Sequence, residues 1–345
     1  MTRYRHTGKR PSPRSTASIR LRLLPLVVTL IVSAGCLLVP RGARAEWPDR
    51  VVRLIVPFGA GSSSDTIARV VASKMSDQLG RQVIVENRVG GSTIIGTEAI
   101  ARAVPDGYTI GLANTSTHAT TVALTAKLPF SPTKDFSPIA MIGSSPLLLL
   151  GSPEKPFKTL PEFIRLAKAQ PGALTYASAG TGTLTHLAGE LVKWKTGIDV
   201  IHVPYHGTEQ SLIDLMAGRI DMVVGTIAPS LAQIRQGKLL AFAMMSDKRN
   251  PTLPEVPTIG EAGALGCEAA LWTALVAPAG VPPAIIARLN QSVAAAVNSP
   301  EVQNALNIQG ITPELGSPED VAARIRTDVE KWKAVADAAK ISGTE

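Results

Sequence analysis

Cysteine is scarce in this chain of 345 residues, which contains only Cys36 and Cys267. Cys36 lies in an N-terminal segment that we expect to be removed, so Cys267 has no partner for an internal disulfide bond. The sequence also lacks any low-complexity tract and any repeat of fixed short period. The remaining chain must therefore be stabilised by its hydrophobic core, and its length of roughly 300 residues suggests two domains.

Acidic residues are absent from the first 45 positions, which hold nine of the 35 lysine and arginine residues. An apolar run over residues 23–39 follows the basic residues, and Ala43-Arg44-Ala45 forms a small-x-small cleavage pattern. This combination predicts a cleavable secretory signal peptide over residues 1–45. Two alternatives stay open. A run of ~17 apolar residues is near the lower limit for a membrane anchor, and Cys36 is a candidate lipidation site.

The basic excess of the whole sequence comes from this segment. Without it, 26 basic residues face all 27 acidic residues, so the exported chain has a net charge of about −1. The formal charge of +8 for the full sequence is therefore no sign of nucleic-acid binding. We expect no nucleic-acid partner.

The stretch from Val51 to Leu79 shows the pattern on which the chain is organised. An aliphatic run of strand length predicts a buried strand, the sequence FGAGSSSD predicts a turn, and the following residues place apolar side chains on one helical face. Ser63, Ser64 and Asp65 are each suited to cap the helix. Because the first N–H groups of a helix are unpaired and lie at its positive dipole end, this turn predicts a small-anion site.

The same strand–turn–helix pattern recurs in at least four places, where a strand ends in glycine, serine or threonine ahead of a helix. The order β-α-β-α-β near the N-terminus predicts a parallel sheet. Further strands are predicted over residues 81–86, 108–113, 147–150, 174–178, 200–205, 220–224, 239–245 and 271–277. Helices are predicted over residues 94–104, 184–192 and 209–217, from Pro229 onward, and over 284–297, 302–308 and 318–339.

Two other ligand classes fit the sequence poorly. Gly59-Ala60-Gly61 begins like a dinucleotide-binding fingerprint, but Ser64 stands where the third glycine would be. We therefore expect no nucleotide cofactor. His202 and His206 are four residues apart, yet Pro204 and the strand pattern keep them off a common helical face. No pair of residues has metal-ligand spacing on a suitable element, and we expect no metal.

An exported hydrolase remains the alternative to a binding protein. The sequence has no G-x-S-x-G motif, but Ser63 or Ser178 could pair with His118 or His186. The structural interpretation of His186 is that it packs beneath the turn over residues 180–183 and positions its backbone. Trp272 is expected to lie in the core.

Several motifs, in order along the chain, together resemble one family. They are RLIVPF, VIVENR, PDGYT, LTYASAGTGT followed by HLAGEL, HVPYHG, GRIDM and LVAPAGVP. The sequence resembles the Bug family of extracytoplasmic solute receptors, which are the binding-protein components of tripartite tricarboxylate transporters. The resemblance covers essentially the whole exported chain. It implies an α/β type II periplasmic binding-protein fold, a Venus flytrap with two doubly wound domains around a cleft.

The resemblance also implies which residues contact the ligand. Its carboxylates would be held mainly by backbone amides and small hydroxyls. The implied positions are Phe58, Gly59, Ala60, Gly61, Ser62, Ser63, Asp65, Thr115, Ser116, Thr117, His118, Ser178, Ala179, Gly180, Thr181, Gly182, Thr183, Tyr205 and Gly225. The sequence departs from the family pattern at two places: Gly61-Ser62 replaces Gly-Gly, and Gly225 replaces an acidic residue. The second departure makes an amino-acid ligand less expected and leaves room for a bulkier one.

These observations predict a periplasmic receptor without catalytic activity, cofactor or metal. It would capture a small organic carboxylate, such as a di- or tricarboxylate, and deliver it to the membrane permease subunits of a tripartite tricarboxylate transporter. We expect a monomer, with one domain formed by residues 46–146 and 269–345 and the other by residues 147–268. A chaperone or sensory module that uses the same fold is a third possibility.

Overall fold

The computed structural model describes residues 1, 2, 8 and 47–341. The chain divides after Glu46 into two units, and all the elements below belong to the second. The predicted signal peptide therefore lies outside the described residues, apart from three isolated positions. Within the part of the chain that is described, no helix is both long and apolar enough to cross a membrane.

Eleven strands and ten α-helices make up the described chain. The strands are β1 (Val52–Val56), β2 (Val83–Asn87), β3 (Thr109–Asn114), β4 (Phe136–Pro146), β5 (Leu148–Gly151), β6 (Thr175–Ser178), β7 (Ile201–Pro204), β8 (Met222–Gly225), β9 (Leu240–Met244), β10 (Ala270–Pro278) and β11 (Thr312–Gly316). The helices are α1 (Ser63–Leu79), α2 (Ile94–Ala101), α3 (Thr121–Leu124), α4 (Leu160–Ala169), α5 (Leu184–Thr196), α6 (Thr208–Met216), α7 (Ile227–Arg235), α8 (Pro283–Val297), α9 (Pro300–Ile308) and α10 (Pro318–Ala339).

The first lobe is built on a six-stranded sheet in the order β11-β4-β10-β3-β1-β2. β1 pairs in parallel with β2 and β3, as the β-α-β-α-β pattern predicts. β10 and β4 run antiparallel to their neighbours, so the sheet is mixed. Helices α1, α8 and α9 cover one face through a core that includes Leu54, Met75 and Leu289. Trp272 lies in the core on the other face, as predicted.

The second lobe is built on a five-stranded sheet in the order β7-β6-β8-β5-β9. β6 pairs in parallel with β7 and β8, and β5 is antiparallel to both β8 and β9. One face packs against α4 and α5 through residues such as Phe163 and Leu187. The other face packs against α6 and α7 through residues such as Leu212 and Ile227.

The chain passes between the sheets twice. β4 of the first sheet is followed at once by β5 of the second, and β9 of the second sheet is followed, 25 residues later, by β10 of the first. The exact domain boundaries at residues 146 and 268 remain a prediction. The last helix, α10, packs against both lobes: Val321 and Ile325 lie in the core around Trp272, whereas Trp332 and Val335 lie in the core of the second lobe.

Two strands were not expected from the sequence. β4 contains Pro138 and several small residues, which are unusual in an inner strand. Pro138 pairs with Val276 of β10 next to a register shift, and the pairing of β4 with β11 is confined to residues 141–144. A proline is tolerated at such an irregularity. β11 is a short edge strand that contains Pro313, a position where a missing donor costs little.

The cap of α1 also differs from the expectation. Ser62, rather than Ser63, Ser64 or Asp65, is the N-cap, and its hydroxyl accepts a hydrogen bond from the amide of Asp65. The buried carboxylate of Asp65 accepts hydrogen bonds from the Gly61 amide (2.8 Å), Asn87 Nδ2 (2.9 Å) and Arg69 Nε (3.0 Å). Burial opposes its ionisation, but these donors outweigh burial and lower the pKa of Asp65 to about 2.

Replacing Asp65 with alanine is expected to lower the free energy of unfolding by about 2 kcal/mol at pH 7, because three hydrogen bonds to a charged group are lost. Urea unfolding measures the effect. Asp77→Ala removes an exposed carboxylate from the same helix and is the matched control. Since the folded-state pKa lies below the ordinary value of 3.8, the stabilisation is present above pH 3.8 and is lost as the pH falls toward 2. Equal losses in the two variants at pH 7 would contradict this role.

Candidate functional site

A cleft of about 840 Å³ lies between the two lobes. Its walls come from the loops that follow strands of both sheets. The lining residues are Phe58, Gly91, Ser92, Thr93, Ile94, Ser116, Thr120, Thr121, Leu124, Thr125, Leu147, Ala179, Thr181, Gly182, Thr183, Leu184, Thr185, Thr208, Thr226, Leu271 and Ile341. Eleven of these carry a hydroxyl group, and among the lining residues of the described chain none carries a charge.

Six of the residues predicted for the site line this cleft: Phe58, Ser116, Ala179, Thr181, Gly182 and Thr183. The others lie beside or beneath it. They are Gly59, Ala60, Gly61, Ser62, Ser63, Asp65, Thr115, Thr117, His118, Ser178, Gly180, Tyr205 and Gly225. The direct ligand contacts implied for those thirteen residues stay predictions, and the structure gives many of them a supporting position.

The turn over residues 58–65 is exposed between β1 and α1, and only Phe58 faces the cleft. The Gly61 amide is already bound by the chain's own carboxylate, that of Asp65. The hydroxyl of Ser63 donates to Gln309 Oε1 at 2.7 Å, which ties the turn to the end of α9. The N-terminus of α1 therefore holds an internal anion, which weakens the expectation that it binds an external one.

The turn over residues 178–183 forms the wall of the second lobe. Thr183 is the N-cap of α5 and its hydroxyl accepts from the amide of His186. The Gly182 amide donates to His186 Nδ1 at 3.1 Å, and the Gly180 amide donates to Ser178 Oγ. The prediction that His186 lies beneath this turn and positions its backbone is confirmed.

Two histidines stack beneath this turn. The rings of His186 and His202 have centroids 4.0 Å apart and planes inclined by 15°. His202 Nε2 lies 2.7 Å from Ser178 Oγ, and Tyr176 stacks on the far face of His202. The hydroxyl of Tyr176 donates to Glu190 at 2.6 Å.

Burial disfavours the charged form of both rings. It lowers the pKa of His186, and together with the neighbouring His186 and Lys193 it lowers the pKa of His202 to about 4. Both imidazoles are consequently neutral at pH 7. The turn over residues 178–183 is thus supported by two uncharged rings, those of His186 and His202.

The segment after β3 is buried rather than open to ligand. The Asn114 side chain accepts from the Thr117 amide, and the Thr117 hydroxyl accepts from the Asn114 amide. His118 is fully buried against Phe136, with ring centroids 4.6 Å apart. Burial lowers the pKa of His118 to about 3. Ser116 is the member of this segment that faces the cleft.

Tyr205 and Gly225 lie behind the lining. The hydroxyl of Tyr205 donates to Asp214 at 2.6 Å, and burial together with this bond raises the pKa of Tyr205 to about 12. A Cβ at Gly225 would lie 3.1 Å from Cγ2 of Thr208, which does line the cleft. Thr208 therefore occupies part of the space that a side chain at position 225 would need.

The sequence did not single out the loop over residues 90–93 as part of the site. All four residues, Gly90 to Thr93, have φ between 51° and 128°. For a β-branched residue such as Thr93 this is a strained conformation. Its buried hydroxyl has no hydrogen-bond partner among the described residues. The feature of the sequence that could have indicated this loop was the Gly90-Gly91 pair after β2.

The geometry does not support the predicted catalytic pairs. Ser178 meets His202 rather than His118 or His186, and Ser178 is fully buried. Its hydroxyl also accepts from the Gly180 amide, so it serves the turn. Within the described chain no group of three or more His, Cys, Asp or Glu side chains is arranged to hold a metal ion.

The free energy of unfolding is expected to be greatest above pH 6.5 and to fall as the pH decreases toward 4. The folded state disfavours protonation of the buried His118 and His186 and of the half-buried His202, whereas the unfolded chain takes up those protons near pH 6.5. His202→Gln should reduce the loss between pH 7.5 and pH 5 by on the order of 1–2 kcal/mol. Urea unfolding at the two pH values measures this, with the exposed His206→Gln as control. The same pH dependence in both variants would refute the assignment.

Comparison with known proteins identifies close relatives. The model of the family described as "Tripartite tricarboxylate transporter family receptor" matches residues 67–341. Protein BugT of Bordetella pertussis is 35% identical over 315 residues, which cover 91% of this chain and 96% of BugT.

Two solved structures from Rhodopseudomonas palustris are similar over nearly their whole length. MatC, solved with bound malate, has 32% identity and a TM-score of 0.68, covering 84% of this chain and 99% of that one. The second, solved with adipate, has 33% identity and a TM-score of 0.71, covering 87% of this chain and 100% of that one. Such likenesses confirm the predicted two-domain periplasmic binding-protein fold.

Proposed function

This chain belongs to the tripartite tricarboxylate transporter receptor family, and we propose that it captures a small organic carboxylate in the cleft between its lobes. The family consists of solute-binding receptors rather than enzymes, which sets aside the exported hydrolase. MatC binds malate and its R. palustris relative binds adipate, and both ligands are carboxylates. These ligands support the proposal for the present chain.

The observation that carries the proposal is a cleft rich in hydroxyl groups, in which no lining residue of the described chain is charged. The first residues of α2, α5 and α6 line it, as does Thr226, the N-cap of α7. The N-terminus of a helix carries partial positive charge, which stabilises an anion by roughly 0.3–1 kcal/mol, or up to ~2 kcal/mol when partly buried. No acidic side chain in the lining opposes that effect. A carboxylate can thus be bound by dipoles and hydroxyl donors alone.

The turn before α5 is the stronger candidate for the carboxylate. In α1 and α5 alike, the amide that precedes the N-cap donates to the side chain three residues after the cap. That side chain is the carboxylate of Asp65 in α1 and the neutral imidazole of His186 in α5. Of these two helices, α5 therefore keeps its positive potential available for a ligand.

Export and delivery complete the proposal. The N-terminal sequence favours export to the periplasm, and membership of this receptor family favours transfer of the ligand to the permease subunits of a tripartite tricarboxylate transporter. We propose that the receptor acts as a monomer. Closure of the lobes would follow binding, because an anion that contacts both walls favours the closed state by its difference in affinity.

A carboxylic acid is expected to bind at least about tenfold more tightly than its neutral amide, because charge-assisted hydrogen bonds to the acid are lost in the amide. Isothermal titration calorimetry with adipate against adipamide, and with hexanoate against hexanamide, makes the comparison. Equal affinities of acid and amide in both pairs would overturn the carboxylate mechanism.

His186→Asp is expected to weaken binding of the same acid by at least about tenfold, because it places a carboxylate at the α5 terminus as Asp65 does at α1. His186→Asn supplies a neutral acceptor to the Gly182 amide and should keep most of the affinity. Calorimetry is paired with urea unfolding to check that both variants are folded. Asp65→Asn should leave the affinity unchanged. A larger loss in Asp65→Asn than in His186→Asp would place the carboxylate at α1 instead.

A further inference from the structure

Five large apolar side chains meet within the cleft. Leu124, Leu147, Leu184, Leu271 and Ile341 all line it, and all belong to or pack against one hydrophobic cluster. We call these five residues the apolar seat. None of the motifs that indicate the family includes Leu124, Leu147, Leu271 or Ile341.

The seat is formed by both walls. Leu124 ends α3 in the first lobe and Leu184 begins α5 in the second, while Leu147 and Leu271 lie at the two crossings between the sheets. A Cβ at Gly182 would lie 3.3 Å from Cδ1 of Leu124, so the walls are in contact here. Leu124 and Leu271 are only half-buried, which leaves apolar surface for a ligand to cover.

The seat itself offers no polar group to a second charge. An ammonium group or a second carboxylate placed over these five aliphatic side chains would lose its water without gaining a hydrogen-bond partner from them. Gly225 adds no charged side chain beside Thr208, and a Cβ there would lie 3.1 Å from Thr208 Cγ2 and 3.3 Å from Leu150 Cδ1.

We infer that the ligand is a monocarboxylic acid with an extended hydrocarbon body, whose apolar end lies on the seat. This inference rests on the proposed function and names the class of acid. The carboxylate lies among the hydroxyl groups and helix N-termini, and the hydrocarbon covers Leu124 and Leu271. The seat belongs to both lobes. Contact with the hydrocarbon therefore favours the closed arrangement, and this effect adds to that of the carboxylate.

Calorimetric titration with acetate, butanoate and hexanoate tests the inference. Each added methylene that is buried should tighten binding about fourfold, so hexanoate should bind on the order of 100-fold more tightly than acetate. Adipate has the length of hexanoate with a second carboxylate in place of the methyl group, and it should bind at least about tenfold more weakly than hexanoate.

Leu124→Asn, which keeps the number of side-chain heavy atoms, should reduce the gain per methylene to less than about twofold, measured as the ratio of hexanoate to acetate affinity within the variant. Leu128→Asn is the matched control, because Leu128 is also half-buried but packs against the core of the first lobe outside the cleft. Equal affinities for acetate and hexanoate, or adipate binding as tightly as hexanoate, would overturn the inference. If acid and amide bind equally in both the hexanoate and the adipate pair, the proposed function itself fails. The two failures are therefore distinguishable.

Discussion

The hydrogen bond from the Gly182 amide to Nδ1 of His186 fixes the turn that forms one wall of the cleft. His186 is itself held by its stacking on His202, and His202 contacts Ser178, which accepts from the Gly180 amide. Every member of this chain of contacts is neutral at pH 7, because burial keeps both imidazoles unprotonated. The wall thus has a fixed shape, and the groups that support it add no charge to the potential at the end of α5.

That arrangement explains how the anion site that we propose can lack arginine and lysine. A charged side chain in a cleft that opens and closes must be desolvated at each closure, which is costly. Helix termini and hydroxyl groups attract an anion more weakly than a charged side chain does. Their orientation is set by the fold, so they need not reorganise when the anion binds. Selection between acids then depends on the surfaces beside the carboxylate, and in this cleft those surfaces are apolar.

The sequence was most informative where local pattern and tertiary role agree. The strand–turn–helix units, the parallel pairs β1–β2 and β6–β7, and the place of His186 beneath its turn all follow from spacing and turn chemistry. β4 was missed because Pro138 argues against an inner strand, and in the fold Pro138 lies next to a register shift in the pairing with β10 and beyond the pairing with β11. Thr93 and Thr226 were missed because the sequence pattern of a hydroxyl residue after a strand is the same whether the hydroxyl faces a cleft or a neighbouring loop.

The sequence was least able to predict the difference between the turn before α1 and the turn before α5, which look alike in sequence. Both follow a strand, both contain glycine, and both lead to a helix capped by a hydroxyl, Ser62 in one and Thr183 in the other. The difference lies three residues after each cap, where Asp65 brings a negative charge and His186 brings none. With its carboxylate facing the Gly61 amide, α1 is neutralised by its own chain and serves to anchor the turn. In α5 the same hydrogen bond forms without cancelling the dipole, so one backbone design gives a structural turn in the first lobe and the turn that we propose for ligand binding in the second.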